Sequence, residues 1–450
     1  MRLTVLGGGG FRVPLIYRAL STEPEGPVVE DLVLHDLDPV RLRRVAAVLE
    51  GIAASPDAIR RPRVHLSTDL AEAVSGADFV FSAIRVGGLA GRVCDERSGL
   101  DNGVLGQETT GAGGVCYGLR TVPVAVGIAR TVRRHAPGAW LINFTNPAGM
   151  VTEAMSAELG DRVVGICDSP VGLFRRVARA LDVSPRDAWF DYAGLNHLGW
   201  LRRVVVDGRD VLPDLLADDT ALGSIEEGRL FGPDWLRSLG AVPNEYLYYW
   251  YFTDEAVRAA RAAEATRGEF LLRQQGAFFE ADPQTPAESL AAWERTRRER
   301  EETYMADARD VSGAGERGSE DLEGGGYDRV ALQLMRAIAH DRATTLVLNV
   351  PNVTALEGLD HHAVVEVPCH VDRHGPRPLA AGVLEPSAAG MVTSVKAVER
   401  QTIHAALAGS RAAAVRALAL HPLVDSVTRA RRILEDQLDR SPELAEVLVR

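Results

Sequence analysis

The chain opens Arg2-Leu-Thr-Val-Leu-Gly7-Gly8-Gly9-Gly10-Phe11-Arg12-Val13, and its next apolar run reads Asp31-Leu-Val-Leu-His-Asp36. Residues 2–7 are a short apolar run of the kind that forms a buried strand, and 13–20 carry helical spacing. The glycines stand between them, where a first strand hands over to a first helix. Such a turn uses glycine for the tight bend and for close approach of the backbone to a pyrophosphate at the helix N-terminus. Asp36 closes the second strand, where a carboxylate bonds ribose hydroxyls and repels the extra phosphate of NADP. The pattern predicts a dinucleotide such as NAD on Gly7, Gly8, Gly9, Gly10, Phe11 and Arg12, with Asp36. The alternative is a glycine-rich turn without a dinucleotide. One place departs from G-x-G-x-x-G: Arg12 occupies the sixth position.

Working outward, strands are expected at 31–36, 63–67, 78–84, 140–145 and 162–167. Helices are expected at 39–53, 115–134 and from about 147. This alternation predicts an α/β fold with a Rossmann-like, doubly wound parallel sheet over residues 1–185. Residues 186–450 read as a mixed α+β domain, with strands within 188–206 and a hairpin turn at the end of the string LRRVVVDG, 201–208. Long helical patterns follow at 253–305, 327–340 and 393–420. The Gly-, Ser- and acid-rich stretch 306–326 reads as a surface loop or a cover over a ligand.

The 450 residues carry 50 basic and 62 acidic side chains, a net charge of −12. That disfavours nucleic acid as a partner, although local arginines can still receive an anionic substrate. No uninterrupted run approaches the roughly 20 apolar residues of a membrane span, and the N-terminus lacks a secretion signal's layout. The four cysteines (Cys94, Cys116, Cys167, Cys369) are too few for a disulfide framework. A cytoplasmic protein without a membrane partner is expected.

Candidate chemistry clusters after the strands. Arg85 opens a glycine-rich, charged segment that runs past Arg92 to Gln107-Glu108-Thr109 and on to Gly114; ligands in open α/β sheets sit at such strand ends. Asn146, before Pro147, is either a substrate-orienting amide or a turn residue. Cys167 and His197 make a transition-metal pair with open positions, or else a buried thiol and an unrelated imidazole. The aromatic stretch Tyr246-Leu-Tyr248-Tyr249-Trp250-Tyr251 suits a core or subunit contact, and also offers a tyrosine as general base.

In order along nearly the whole chain, the strings LTVLGGGG, AIRVGG, GQETTGAGG, FTNPAG, VVGICDSP, GLNHLGW, VPNEYLYYWY, EGGGYDRVALQLMRAI, VVEVPCHV and SVKAVERQTIHAAL resemble the family 4 glycoside hydrolases, the NAD- and metal-dependent phospho-glycosidases. The resemblance implies hydrolysis of a phosphorylated disaccharide or glycoside by an exception to the usual two-carboxylate route. NAD oxidises C3, a tyrosine takes the C2 proton, the glycosidic bond breaks by elimination, water adds and the hydride returns. It further implies Cys167 and His197 as ligands of Mn²⁺ or another divalent metal, and Tyr246 as the base, with Tyr248 or Tyr249 if the register slips. Arg85, Asn146 and Arg267 match substrate contacts, and Asp168 matches a catalytic proton donor. A homodimer or homotetramer is implied too. The blocks GLNHLGW and NEYLYYWY lean toward the 6-phospho-β-glucosidases, whereas an aspartate at 168 leans toward α-specific members. Two other readings share parts of this pattern: an NAD-dependent 2-hydroxyacid dehydrogenase, and a non-catalytic sensor on the same scaffold.

Overall fold

The computed structural model describes residues 1–315 and 326–449. Among the described residues, thirteen strands form one sheet. Its first part runs β3 (Arg63–Ser67), β2 (Asp31–His35), β1 (Arg2–Leu6), β4 (Phe79–Ser82), β5 (Trp140–Asn143), β6 (Val163–Gly165), all parallel. This 3-2-1-4-5-6 order is that of a dinucleotide-binding sheet. The near-continuous apolar runs of β1, β2 and β4 follow from burial on both faces.

The strands of the second half extend this sheet. Beyond β6 the order continues β11 (Thr344–Pro351), β12 (Val364–Asp372), β7 (Ala188–Leu195), β8 (Leu198–Val206), β10 (Val242–Pro243), every pairing antiparallel. β13 (Gly375–Pro378) pairs with β12, and β9 (Arg209–Asp210) with β8. The predicted hairpin is the β8–β9 turn, with Asp207 and Gly208 at φ 50° and 79°. Positive φ at both turn residues matches the right-handed twist of the strands.

Four expectations change. The helical pattern at 253–305 is three helices, Thr253–Ala262, Arg267–Glu280 and Pro286–Glu302. Thr266 starts the second with a reciprocal capping box to Glu269, and Thr285 followed by Pro286 starts the third. The pattern at 393–420 is likewise split by Gly409 in the left-handed region. The glycine-rich, charged stretch after Arg85, where no helix is expected, contains the helix Gly88–Asp101. Its glycines hide it from propensity, yet a Cβ on Gly99 would lie 2.5 Å from the Leu105 carbonyl oxygen, so packing requires them. In the predicted loop 306–326, Ala306–Ser312 is helical, and 316–325 lie outside the described residues.

The helix Ala112–His135 is long and apolar enough to cross a bilayer, although no uninterrupted apolar run flagged it. Its most apolar window is 83% buried against the sheet and neighbouring helices, as the core helix of a folded domain is.

Candidate active site

A cavity of about 1510 Å³ opens at the carboxyl ends of the parallel strands. Gly7, Gly10, Phe11, Arg12, Asp36, Arg85, Asn146, Cys167, Asp168, His197, Tyr246 and Arg267 all line it. Gly8 and Gly9 stand behind the lining and shape the turn. Gly8 N donates to the His35 carbonyl, and Gly9 N donates to Asp36 Oδ2 at 3.0 Å. Asp36 Oδ1 accepts from Asp38 N, so this carboxylate locks the two βα turns together. Gly7 has φ 80°, and a Cβ there would sit 2.6 Å from the Ala83 carbonyl oxygen. This is a bare backbone cradle at a helix start with an acid at its rim, and it fits a dinucleotide.

Arg12 leaves that cradle. Its guanidinium pairs with Asp168 at 3.0 Å and lies over the Tyr327 ring at 4.3 Å, which itself stacks on Phe144. Tyr327 Oη donates back to the Arg12 carbonyl at 2.6 Å. Burial pushes the Asp168 carboxyl up, but Arg12 outweighs it and holds the group below its ordinary range. Asp168 thus stands as a carboxylate. Phe11 turns into the core against Phe278, and its carbonyl accepts from Trp293 Nε1 at 2.8 Å.

Arg85 heads a chain of alternating charge. Glu108 bridges Arg85 (2.7 Å) and Arg92 (2.8 Å), and Arg92 also pairs with Glu96. Burial raises the Glu108 carboxyl, yet the two guanidiniums hold it down to about 2. Glu96 accepts from Gly268 N at the start of the helix that carries Arg267. Arg267 donates to the Arg300 carbonyl (2.7 Å), the Thr303 carbonyl (3.1 Å) and Thr303 Oγ1 (2.7 Å). Desolvation and the nearby Arg300 and Arg92 push its guanidinium down to about 10. Arg267, Arg300, Arg92 and Arg85 line one end of the cavity together with Glu96, Glu108 and Glu301, four cationic groups against three carboxylates.

His197 sits at φ 60° after β7. Its ring stacks on Tyr246 with centroids 3.6 Å apart and an interplanar angle of 4°. His197 Nδ1 lies 3.1 Å from Thr109 Oγ1, whose proton goes to Gln107 Oε1. Nδ1 must then donate, which leaves the Nε2 lone pair free. Burial pushes the imidazole down to about 4, so it is neutral at pH 7. The Cys167 thiol is buried and pushed up, so it needs a nearby cation to ionise. Among the described residues no three His, Cys, Asp or Glu side chains gather into a metal cage. A neutral imidazole with a free Nε2 and an ionisable thiol on one cavity wall fit a divalent cation with open positions.

Of the three candidate tyrosines, Tyr248 is core and Tyr249 lines the cavity beside Tyr246. Tyr246 alone stacks on His197, and its Oη accepts from Tyr304 Oη at 2.9 Å. Buried polar groups hold this wall from behind. Ser169 Oγ donates to Glu245 Oε1 at 3.1 Å, beside the Arg176–Glu227 pair. Glu366 on β12 accepts from Tyr192, Asn196 and Asn349, and burial pushes its carboxyl up to about 7. Sequence reading overlooked Tyr304, Tyr327, Arg300 and Glu366. The first and third sit in or beside a charged helical run with no local signature; Glu366 lies in a strand whose pairing is set by distant residues.

Residues 2–183 match the profile described as "Family 4 glycosyl hydrolase", and 192–424 match "Family 4 glycosyl hydrolase C-terminal domain". The chain is similar to the "Probable 6-phospho-beta-glucosidase" of Bacillus subtilis, with 34% identity over 98% of this chain and 96% of that one. It is also similar to the "6-phospho-alpha-glucosidase 1" of Lacticaseibacillus paracasei, with 30% identity over 98% of each. Among solved structures, the 6-phospho-β-glucosidase of Thermotoga maritima with manganese, NAD⁺ and glucose 6-phosphate superposes with a TM-score of 0.81, at 26% identity over 98% of both chains. Both halves of the chain match, in order and nearly end to end: it belongs to family 4 of the glycosyl hydrolases.

Proposed function

We propose that this chain hydrolyses 6-phosphoglucosides, with β the preferred anomer, using NAD and a divalent metal such as Mn²⁺. The observation that carries the reading is the Tyr246–His197 stack in the cavity that also holds the glycine cradle, Cys167 and the arginine end. The family match spans both halves of the chain, which a plain hydroxyacid dehydrogenase would not give.

When bound, NAD would borrow a hydride from C3 of the sugar and return it, while the metal would stabilise negative charge on the sugar oxygens. The chain's own groups do the rest. The turn at Gly7–Gly10 and Asp36 hold the dinucleotide, and Cys167 and His197 hold the metal. Arg85 and Arg267, with Arg92 and Arg300, neutralise the 6-phosphate. Asn146 orients the sugar. Burial holds the Tyr246 proton on, so the phenol must first lose it to solvent, which the charge of a bound cation would favour; as the phenolate, Tyr246 Oη takes the C2 proton once C3 is a ketone. The electron pair left at C2 forms a double bond to C1 as the C1–O bond breaks, and the leaving oxygen gains a proton. Water then adds across that bond, its hydroxyl at C1 and a proton at C2. Asp168 lines the same cavity; Arg12 holds it as a carboxylate, so it must take up a proton as the substrate enters before it can pass one to the leaving oxygen, and it recovers that proton from the water that adds. The higher identity to the β-type relative supports the β preference, against the lean of Asp168 toward α.

We further place the chain in the cytoplasm as a homodimer or homotetramer, with residues 1–185 serving the cofactor and 186–450 the substrate, metal and subunit contacts. The free state of all four cysteines supports a reducing compartment.

The test supplies NAD, Mn²⁺ and the α- and β-anomers of p-nitrophenyl 6-phosphoglucoside. Release of nitrophenol without matching NADH, faster for β and abolished by chelator, is the expected result. Net NADH from a 2-hydroxyacid, with no nitrophenol from either anomer, overturns the reading.

A further inference from the structure

We propose that Tyr304 is a positioning residue for the C2-proton step, acting through its hydrogen bond to Tyr246. The inference rests on the reading of Tyr246 as the base.

Besides the neighbouring Tyr249 ring, 6.3 Å away between centroids, two closer contacts hold Tyr246. His197 covers one face of its ring at 3.6 Å, which sets the ring plane. That stack alone leaves the ring free to slide within its plane, and a phenol oxygen a fraction of an ångström off line loses reach to a carbon-bound proton. Tyr304 Oη removes this freedom by donating to Tyr246 Oη at 2.9 Å. It occupies one acceptor direction of that oxygen and leaves another for the sugar. The same hydrogen bond is strongest to the phenolate, the form of Tyr246 that accepts the proton.

The structure invests in placing Tyr304. It follows the helix Pro286–Glu302, at a point where the chain turns through Met305 at φ 51°. Arg267 ties down that helix end, with donors to the Arg300 and Thr303 carbonyls and to Thr303 Oγ1. An arginine expected only as a substrate contact thus also anchors the segment that delivers Tyr304. Burial raises the Tyr304 hydroxyl well above its ordinary range, as suits a donor that keeps its proton.

The experiment is a double-mutant cycle of Tyr304→Phe and Tyr246→Phe in the enzyme loaded with NAD and Mn²⁺, with p-nitrophenyl 6-phospho-β-glucoside as substrate. Tyr304→Phe keeps the ring and removes only the hydroxyl. It should lower kcat about 10- to 100-fold with KM within about twofold. Reduced nicotinamide should accumulate on the variant during turnover, because oxidation at C3 proceeds while the C2 step lags. Added to Tyr246→Phe, it should cost nothing further, since the hydroxyl it acts through is gone. Multiplying losses in the double variant, or wild-type kcat with no accumulated NADH in Tyr304→Phe, overturns the inference. Failure of the underlying reading looks different: Tyr246→Phe would keep wild-type turnover, and product made in deuterated water would carry no label at C2.

Discussion

The two ends of the cavity are built in opposite ways. At the cofactor end the working atoms are backbone. Gly9 and Asp36 meet across 27 residues, and the turn depends on φ values and missing Cβ atoms. At the reactive end the working atoms are side-chain tips drawn from far apart. Tyr246 meets Tyr304 across 58 residues, His197 meets Thr109 across 88, and Arg12 meets Asp168 across 156. A backbone cradle tolerates change in distant side chains but not in its own glycines. A wall of convergent side chains fails when any one tip is removed, while the scaffold stands. The two ends should therefore be separable by mutation.

The largest expected effect tests that separation. Tyr246→Phe should cut kcat by about 10²- to 10⁴-fold, the range for losing a positioned general base. Calorimetry should find its affinity for NAD unchanged. A parallel loss of NAD binding would mean the ends are coupled through the cavity, and the contrast drawn above would be wrong.

Glu366 sharpens the contrast from beneath the reactive wall. Its carboxyl lies at about 7 in the folded chain against an ordinary 4.5. Below about pH 4.5 it is protonated in both folded and unfolded chains and makes no difference. Between 4.5 and 7 the unfolded chain has released the proton while the folded one retains it, so this group's contribution to stability falls as pH rises. Above 7 the cost is on the order of 3 kcal/mol. Glu366→Gln should therefore gain stability relative to wild type at pH 8 and not at pH 4.5, as read by urea denaturation. An equal change at both pH values would show that the carboxylate is fully compensated by Tyr192, Asn196 and Asn349.

The same contrast explains what could be read from sequence. The order β1, glycine turn, helix, β2, Asp36 is local, so the fold of the first half and the dinucleotide reading follow from contiguous residues. Arg12 was legible as a departure, but nothing local says that its guanidinium crosses to Asp168 and Tyr327. The helix Gly88–Asp101 was invisible because its glycines, forced by the Leu105 carbonyl and the Arg120 side chain, erase helix propensity. The strands at 344–378 belong to the sheet because β6 and β7 offer edges to β11 and β12. That pairing is a tertiary fact. Tyr304 follows a charged helix with no motif around it, and only the fold shows which tyrosine it faces.

At the cofactor end, Gly7→Ala should act in the opposite sense to Tyr246→Phe. The new Cβ meets the Ala83 carbonyl at 2.6 Å in a left-handed conformation, which should cost about 1–3 kcal/mol in stability. NAD affinity should fall while Mn²⁺ affinity holds. Weakened Mn²⁺ binding would again join the two ends.

The smallest effect separates a ligand from the group that orients it. Thr109 Oγ1 accepts from His197 Nδ1 because its own proton is committed to Gln107. Thr109→Val keeps the shape and deletes both bonds. The imidazole is then free to place its proton on Nε2, the nitrogen left for a metal. Half the neutral rings in the wrong tautomer would alone weaken binding only about twofold, and loss of ring orientation adds to this. The Mn²⁺ concentration for half-maximal activity should rise about 10-fold, the low end for losing a partner of a metal-bound histidine. NAD affinity should not move. If the Mn²⁺ requirement stays put, the stack on Tyr246 is sufficient to hold the ring, and the reactive wall depends on aromatic packing more than on its hydrogen bonds.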